Sequence, residues 1–126
     1  MRTLGQERAE FALNKILSVI KKEIDQKKLK AFSSGAPNMI LQNGFGQALA
    51  FWLSKSKDNN HYDVIFKIVK EWLEKKNYVN SSNDKEFIEN ISKMSQQDYL
   101  KCQKESIALL EWVKRYANAF CEDNSK

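Results

Sequence analysis

Few residues in this 126-residue chain have the types and spacing that chemistry requires. His61 is the sole imidazole. It stands at the start of a helical run beside a polar loop, a place where histidine more often caps or faces solvent than acts as a base. Glu7 with Glu10, and Glu71 with Glu74, lie one helical turn apart among lysines. They read as solvated helix faces, not as a buried acid pair with separated pKa values. A metal-dependent nuclease would need a carboxylate cluster in a pocket, and none stands out. Cys102 and Cys121 are the only cysteines. If one helix carries both, they sit about 28 Å apart along its axis, far outside the ~7 Å reach of a disulfide. They read as small buried hydrophobes of a reducing cytoplasm. With one histidine and no Cys-x-x-Cys, a zinc site lacks ligands. The expectation is a protein without catalytic residues, metal or cofactor, and not an enzyme.

The stretch "NGFGQALAFWLSK", Asn43 to Lys55, raises the question of a phosphate loop. A dinucleotide fingerprint needs a third glycine, but Leu49 occupies that position and no strand precedes the turn. A P-loop needs Gly-Lys-Ser/Thr, which is absent. Gly44 suits a helix junction, where a left-handed backbone costs it little. Gly46 suits a close approach between helices.

Cations and aromatics hold more information. The formal net charge is +5, compatible with an anionic partner and equally with a solvated lysine-rich surface. Arg8, Lys15 and Lys22 recur every seven residues along the first helical segment, and Lys55 and Lys57 follow the glycine helix. On a wheel of the last segment, Ile107, Leu109, Leu110, Val113, Ala117 and Phe120 share one side. Lys101, Lys104, Trp112, Arg115 and Tyr116 share the other, with Ala108 and Ala119 between. Aromatics among basic residues can stack on bases while the cations meet phosphates. The same face also fits a second buried surface or docking of another subunit.

The elements that must position these residues are helices. Apolar types make up 42% of the chain, with only four Gly and one Pro, so it should pack, and as helices. The length favours one domain spanning 1–126. Helical spacing predicts a long first helix from Leu4 to about Lys30, stopping near "FSSGAP". A short helix "PNMILQN" then begins at Pro37, and another runs from Phe45. A further helix spans about His61 to Lys76, with Val64, Ile65, Ile68, Val69, Trp72 and Leu73 on its core face. Asn83 with Glu86 caps a short helix around Phe87–Ile91, and Ser95 with Asp98 caps the last, roughly Gln96–Cys121. The expected architecture is an all-α bundle of five or six helices, long at both ends. No window approaches the ~18 to 20 apolar residues of a membrane span. "MRTLGQERAEFA" has acidic residues where a signal peptide has its apolar core, so a cytoplasmic protein is expected.

Three stretches, "RAEFALNKI", "PNMILQNGFGQALAFWLSK" and "YLKCQKESIALLEWVKRYANAF", together resemble the small all-helical subunit of Cmr-type (type III-B) CRISPR effector complexes. Asn43, Gly44, Gln47, Leu49, Ala50, Phe51 and Lys55 fall where that family's pattern expects them. Phe45 departs from the more usual leucine, and the segment from about Asp58 to Met94 carries no signature. The resemblance implies a non-catalytic subunit of antiviral defence, present in several copies stacked into a filament. Beside the backbone subunits that hold guide RNA, those copies would line a groove for target RNA, and the backbone subunits would cut it. On that reading Arg8, Lys15, Lys55, Lys57, Lys104 and Arg115 are expected to meet RNA, and Trp112 and Tyr116 a neighbouring subunit. The competing expectation is a basic helical adaptor or regulator that binds an acidic protein.

Overall fold

Thr3 opens the first helix: its hydroxyl accepts from the Gln6 N–H at 3.1 Å while the Gln6 side chain accepts from the Thr3 N–H at 2.9 Å. In the computed structural model, which describes residues 1–122, six α-helices follow one another and no strand forms among the described residues. They are α1 Leu4–Val19, α2 Gln26–Asn43, α3 Phe45–Lys55, α4 His61–Lys75, α5 Asp84–Lys93 and α6 Gln96–Phe120. The expected all-α bundle is therefore found. Asn60, Asn83 and Ser95 cap α4, α5 and α6 by accepting from Asp63, Glu86 and Asp98 N–H groups. No helix among the described residues is long and apolar enough to cross a membrane.

The first third of the chain departs from expectation. The helix predicted from Leu4 to about Lys30 ends at Val19, and a second begins at Gln26. Asp25 accepts from the Lys28 N–H at 3.0 Å and starts it afresh. The intervening Lys21, Lys22 and Glu23 are exposed, so no apolar face holds the chain helical there. The stop expected at "FSSGAP" does not occur either: those residues lie inside α2, and Pro37 is buried within it. Proline deprives the Ser33 carbonyl of its helical donor. Ser33, Ala36, Pro37 and Ile40 are nevertheless buried on one face of a helix that packs mainly against α6. Burial of that face outweighs a local helix-breaking signal.

α6 is the axis of the fold, with α1 and α2 both laid along it and α4 behind. Its core row runs Leu109, Leu110, Val113, Ala117 and Cys121, all buried. Phe120, expected on that row, is exposed instead, because Cys121 takes the i+4 position after Ala117. Trp52, Trp72, Phe45, Phe66 and Phe87 fill the centre of one continuous apolar cluster. A buried carboxylate sits at its edge. Glu105 is forked by Arg8 of α1 through Nε and Nη2, the latter at 3.0 Å from Oε1, and accepts from Trp72 Nε1 at 3.0 Å.

Candidate nucleic-acid interface

Gly44 alone separates α2 from α3, ending one helix and starting the next. Its φ of +89° lies where side-chain-bearing residues are strained. Two residues on, the Gly46 N–H donates to Tyr99 Oη at 2.7 Å, and a Cβ on Gly46 would stand 3.3 Å from that oxygen. The first glycine makes the bend, and the second leaves room for the Tyr99 hydroxyl of α6 against the start of α3. No phosphate loop is needed to explain either.

This bend aims α3, and the far end of α3 carries Lys55. The turn after it is braced. Ser56 Oγ donates to the Trp52 carbonyl at 2.8 Å, and Asn60 Nδ2 donates to the Lys55 carbonyl at 2.9 Å. Asn59 adopts a φ of 58°, and its N–H donates to Asp63 Oδ2 at 3.2 Å. Lys55 and Lys57 are both exposed on this rigid corner. The Lys55 ammonium lies 6.0 Å from the ring centroid of Phe51.

On α6, Lys104 and Arg115 are exposed, about three turns apart. Between and beyond them runs a ladder of rings. Trp112 and Tyr116 stack with centroids 5.8 Å apart, and Tyr116 and Phe120 with centroids 6.3 Å apart. Among the described residues, no carboxylate pairs with Lys55, Lys57, Lys104 or Arg115.

The two cations expected on α1 are placed differently. Lys15 pairs with Glu71 of α4 on a half-exposed surface. Arg8 is withdrawn into the fold, its guanidinium filled by Glu105. Burial alone would raise the Glu105 pKa, but the hydrogen bonds from Arg8 and Trp72, the Arg8 charge and Tyr78 outweigh it and hold it below the usual carboxylate range. Arg8 is thus a structural partner of Glu105: releasing it would strand a buried carboxylate. A seven-residue repeat of cations does not disclose this, because the partner lies 97 residues away.

Among the described residues no group of three or more His, Cys, Asp or Glu could hold a metal ion. His61 packs against Phe32 and Tyr62, and desolvation lowers its pKa, aided by Lys28. Cys102 and Cys121 are buried and unpaired, as expected from their separation, and burial pushes the Cys102 thiol up to about 11.

The family model described as "CRISPR-associated protein (Cas_Cmr5)" matches residues 4–120. The chain belongs to the Cmr5 family. Its fold is also that of a CRISPR-associated Cmr5 family protein from Thermus thermophilus, known from an X-ray crystal structure. The TM-score is 0.79 at 27% identity, covering 97% of this chain and 100% of that one. The match spans all six helices and takes in Lys55, Lys57, Lys104 and Arg115. The resemblance drawn from three short stretches is therefore confirmed over nearly the whole chain, including the central segment that carried no signature. Cmr5 membership identifies a small CRISPR-associated subunit and implies assembly within a Cmr complex alongside other subunits.

Proposed function

We propose that this protein is a non-catalytic structural subunit of a type III-B Cmr effector complex, stacking in several copies to line the groove where target RNA meets guide RNA. Lys55, Lys57, Lys104 and Arg115 contact the phosphate backbone. Trp112 and Tyr116 pack against a neighbouring subunit, with Phe120 extending their stack.

The observation that carries this reading is the division of the cations. Arg8 is consumed inside the fold, whereas these four stand exposed with no carboxylate partner among the described residues. A cation left unpaired on a braced corner or a helix face keeps its full charge for a phosphate. Lys15 belongs to an intermediate class. An exposed ion pair such as Lys15–Glu71 contributes only about 0 to 1 kcal/mol, so a phosphate can displace Glu71 at little cost. Phosphate contacts position an RNA without reading it, which suits a groove that must accept any target sequence.

The test is titration of the free protein with single-stranded RNA at two salt concentrations. Binding is expected to be weak, indifferent to sequence and weaker at higher salt. Replacing Lys55, Lys57, Lys104 and Arg115 together by Ala should flatten the salt slope. Tight binding that survives high salt, or a slope unchanged in the combined variant, overturns the assignment of these residues.

A further inference from the structure

The last turn of α2 and the outer face of α3 enclose an open groove of about 630 Å³ lined by Met39, Gln42, Asn43, Gln47, Ala48 and Phe51. We infer that this groove receives one unstacked base of single-stranded RNA. The proposal deepens the RNA-lining role above and rests on it.

The composition of the groove matches what a base presents. Met39 and Ala48 supply apolar contact. Phe51, although it packs edge-on with Tyr62 and has Lys55 over its ring, stays 43% exposed and offers ring surface to a base. Three side-chain amides converge from Gln42, Asn43 and Gln47, all exposed and without hydrogen-bond partners among the described residues. An amide both donates and accepts, so three rotatable amides can satisfy the edge of any base without selecting strongly among them. Lys55, one turn beyond Phe51 on α3, stands where the attached phosphate would need a cation. Splayed-out bases held between an aromatic face and polar edge contacts are the usual way proteins engage single-stranded RNA. The neighbouring groove between α3 and α5 provides the contrast. Gly46, Gln47, Ala50, Ile88, Ile91, Ser92 and Tyr99 line it, and it is largely apolar, offering little to a base edge.

The experiment titrates the full chain at low salt, followed by NMR so that weak binding is measurable. It uses a short single-stranded RNA and an RNA of the same length and charge whose nucleosides lack bases. Wild-type protein should bind the ordinary RNA more tightly and shift the side-chain amide resonances of Gln42, Asn43 and Gln47. Phe51→Ala should weaken ordinary RNA about fivefold or more and leave the abasic RNA unaffected. Phe51→Trp should restore binding, and Lys55→Ala should weaken both RNAs alike. Equal losses on both RNAs for a folded Phe51→Ala, or no loss on either, overturns the base pocket while leaving the phosphate reading intact. A change in self-association with RNA affinity unchanged also overturns it, by making the groove a protein contact. Wild-type protein that binds neither RNA overturns both proposals.

Discussion

Glu105 is a carboxylate taken out of water and kept charged by its neighbours. Arg8, Trp72 and Tyr78 hold its pKa down, so its stabilising effect is fully present above the ordinary carboxylate value of 4.5 and is lost as pH falls through the lower folded value. His61 adds to acid sensitivity earlier. Desolvation depresses its pKa from 6.5, so the unfolded chain takes up a proton that the folded chain resists as pH drops below that value. Denaturant midpoints measured from about pH 8 to pH 3 should therefore begin to fall near 6.5 and drop further below 4.5. Glu105→Gln should remove most of the second decline and His61→Phe most of the first. Arg8→Ala leaves the carboxylate buried without its main partner and should cost about 3 kcal/mol. Arg2→Ala breaks only the exposed pair with Glu10 and should cost about 1 kcal/mol or less. Equal costs for the two substitutions, measured by urea unfolding, would mean that Glu105 does not depend on Arg8.

The helices meet at a single residue between α2 and α3, and Gly44 sits there at positive φ. A Cβ at Gly44 meets nothing within 4 Å, so any cost of Gly44→Ala comes from backbone strain alone. That strain should amount to about 1 to 3 kcal/mol. Tyr99→Phe strips the partner from the Gly46 N–H and should cost about 1 kcal/mol. Leu49→Ala and Leu110→Ala, each opening a cavity in the core, should cost about 2 to 5 kcal/mol. If Gly44→Ala proves neutral in chemical denaturation, the bend does not need glycine. These elements also mark what the sequence could disclose. The periodic apolar rows of α3, α4 and α6, and the caps Asn83 and Ser95, are local signals and were legible. The passage of α2 through Pro37 was not, because burial against α6, distant in the chain, decides it. Neither was the break before Asp25, because Ile20 and Ile24 continue the helical spacing across exposed Lys21, Lys22 and Glu23. The candidate site divides in the same way. Exposure of Lys55, Lys104 and Arg115 follows from helix faces and that of Lys57 from the polar loop after α3, whereas the pairing of Arg8 with Glu105 follows from tertiary contact alone. Phe120 fell on the wrong side of α6 for a smaller reason: the core row continues to Cys121 in steps of four.

At the scale of the molecule, the fold is a helical scaffold in which Arg8 with Glu105 and Lys15 with Glu71 form ion pairs between helices. The described residues assemble no metal-ligand cluster. Purified protein incubated with labelled single-stranded RNA, with and without Mg²⁺ or Mn²⁺, is therefore expected to leave it intact. Cleavage abolished by one point substitution would contradict that. What the surface offers instead is charge held at fixed points: a braced corner at Lys55 and Lys57, and the outer face of α6 at Lys104 and Arg115. Single alanine substitutions there should be mild and their combination cumulative, since each phosphate contact is modest alone. Reversal to Glu should be worse, because it adds repulsion to the lost attraction. The most direct measurement reconstitutes the Cmr complex with a folded variant in which all four cations are Ala, and reads target-RNA affinity separately from assembly. Normal assembly with weakened target binding is the expected result. Normal assembly with wild-type affinity would contradict the RNA-lining role of these residues, and failed assembly would reassign them to contacts between subunits.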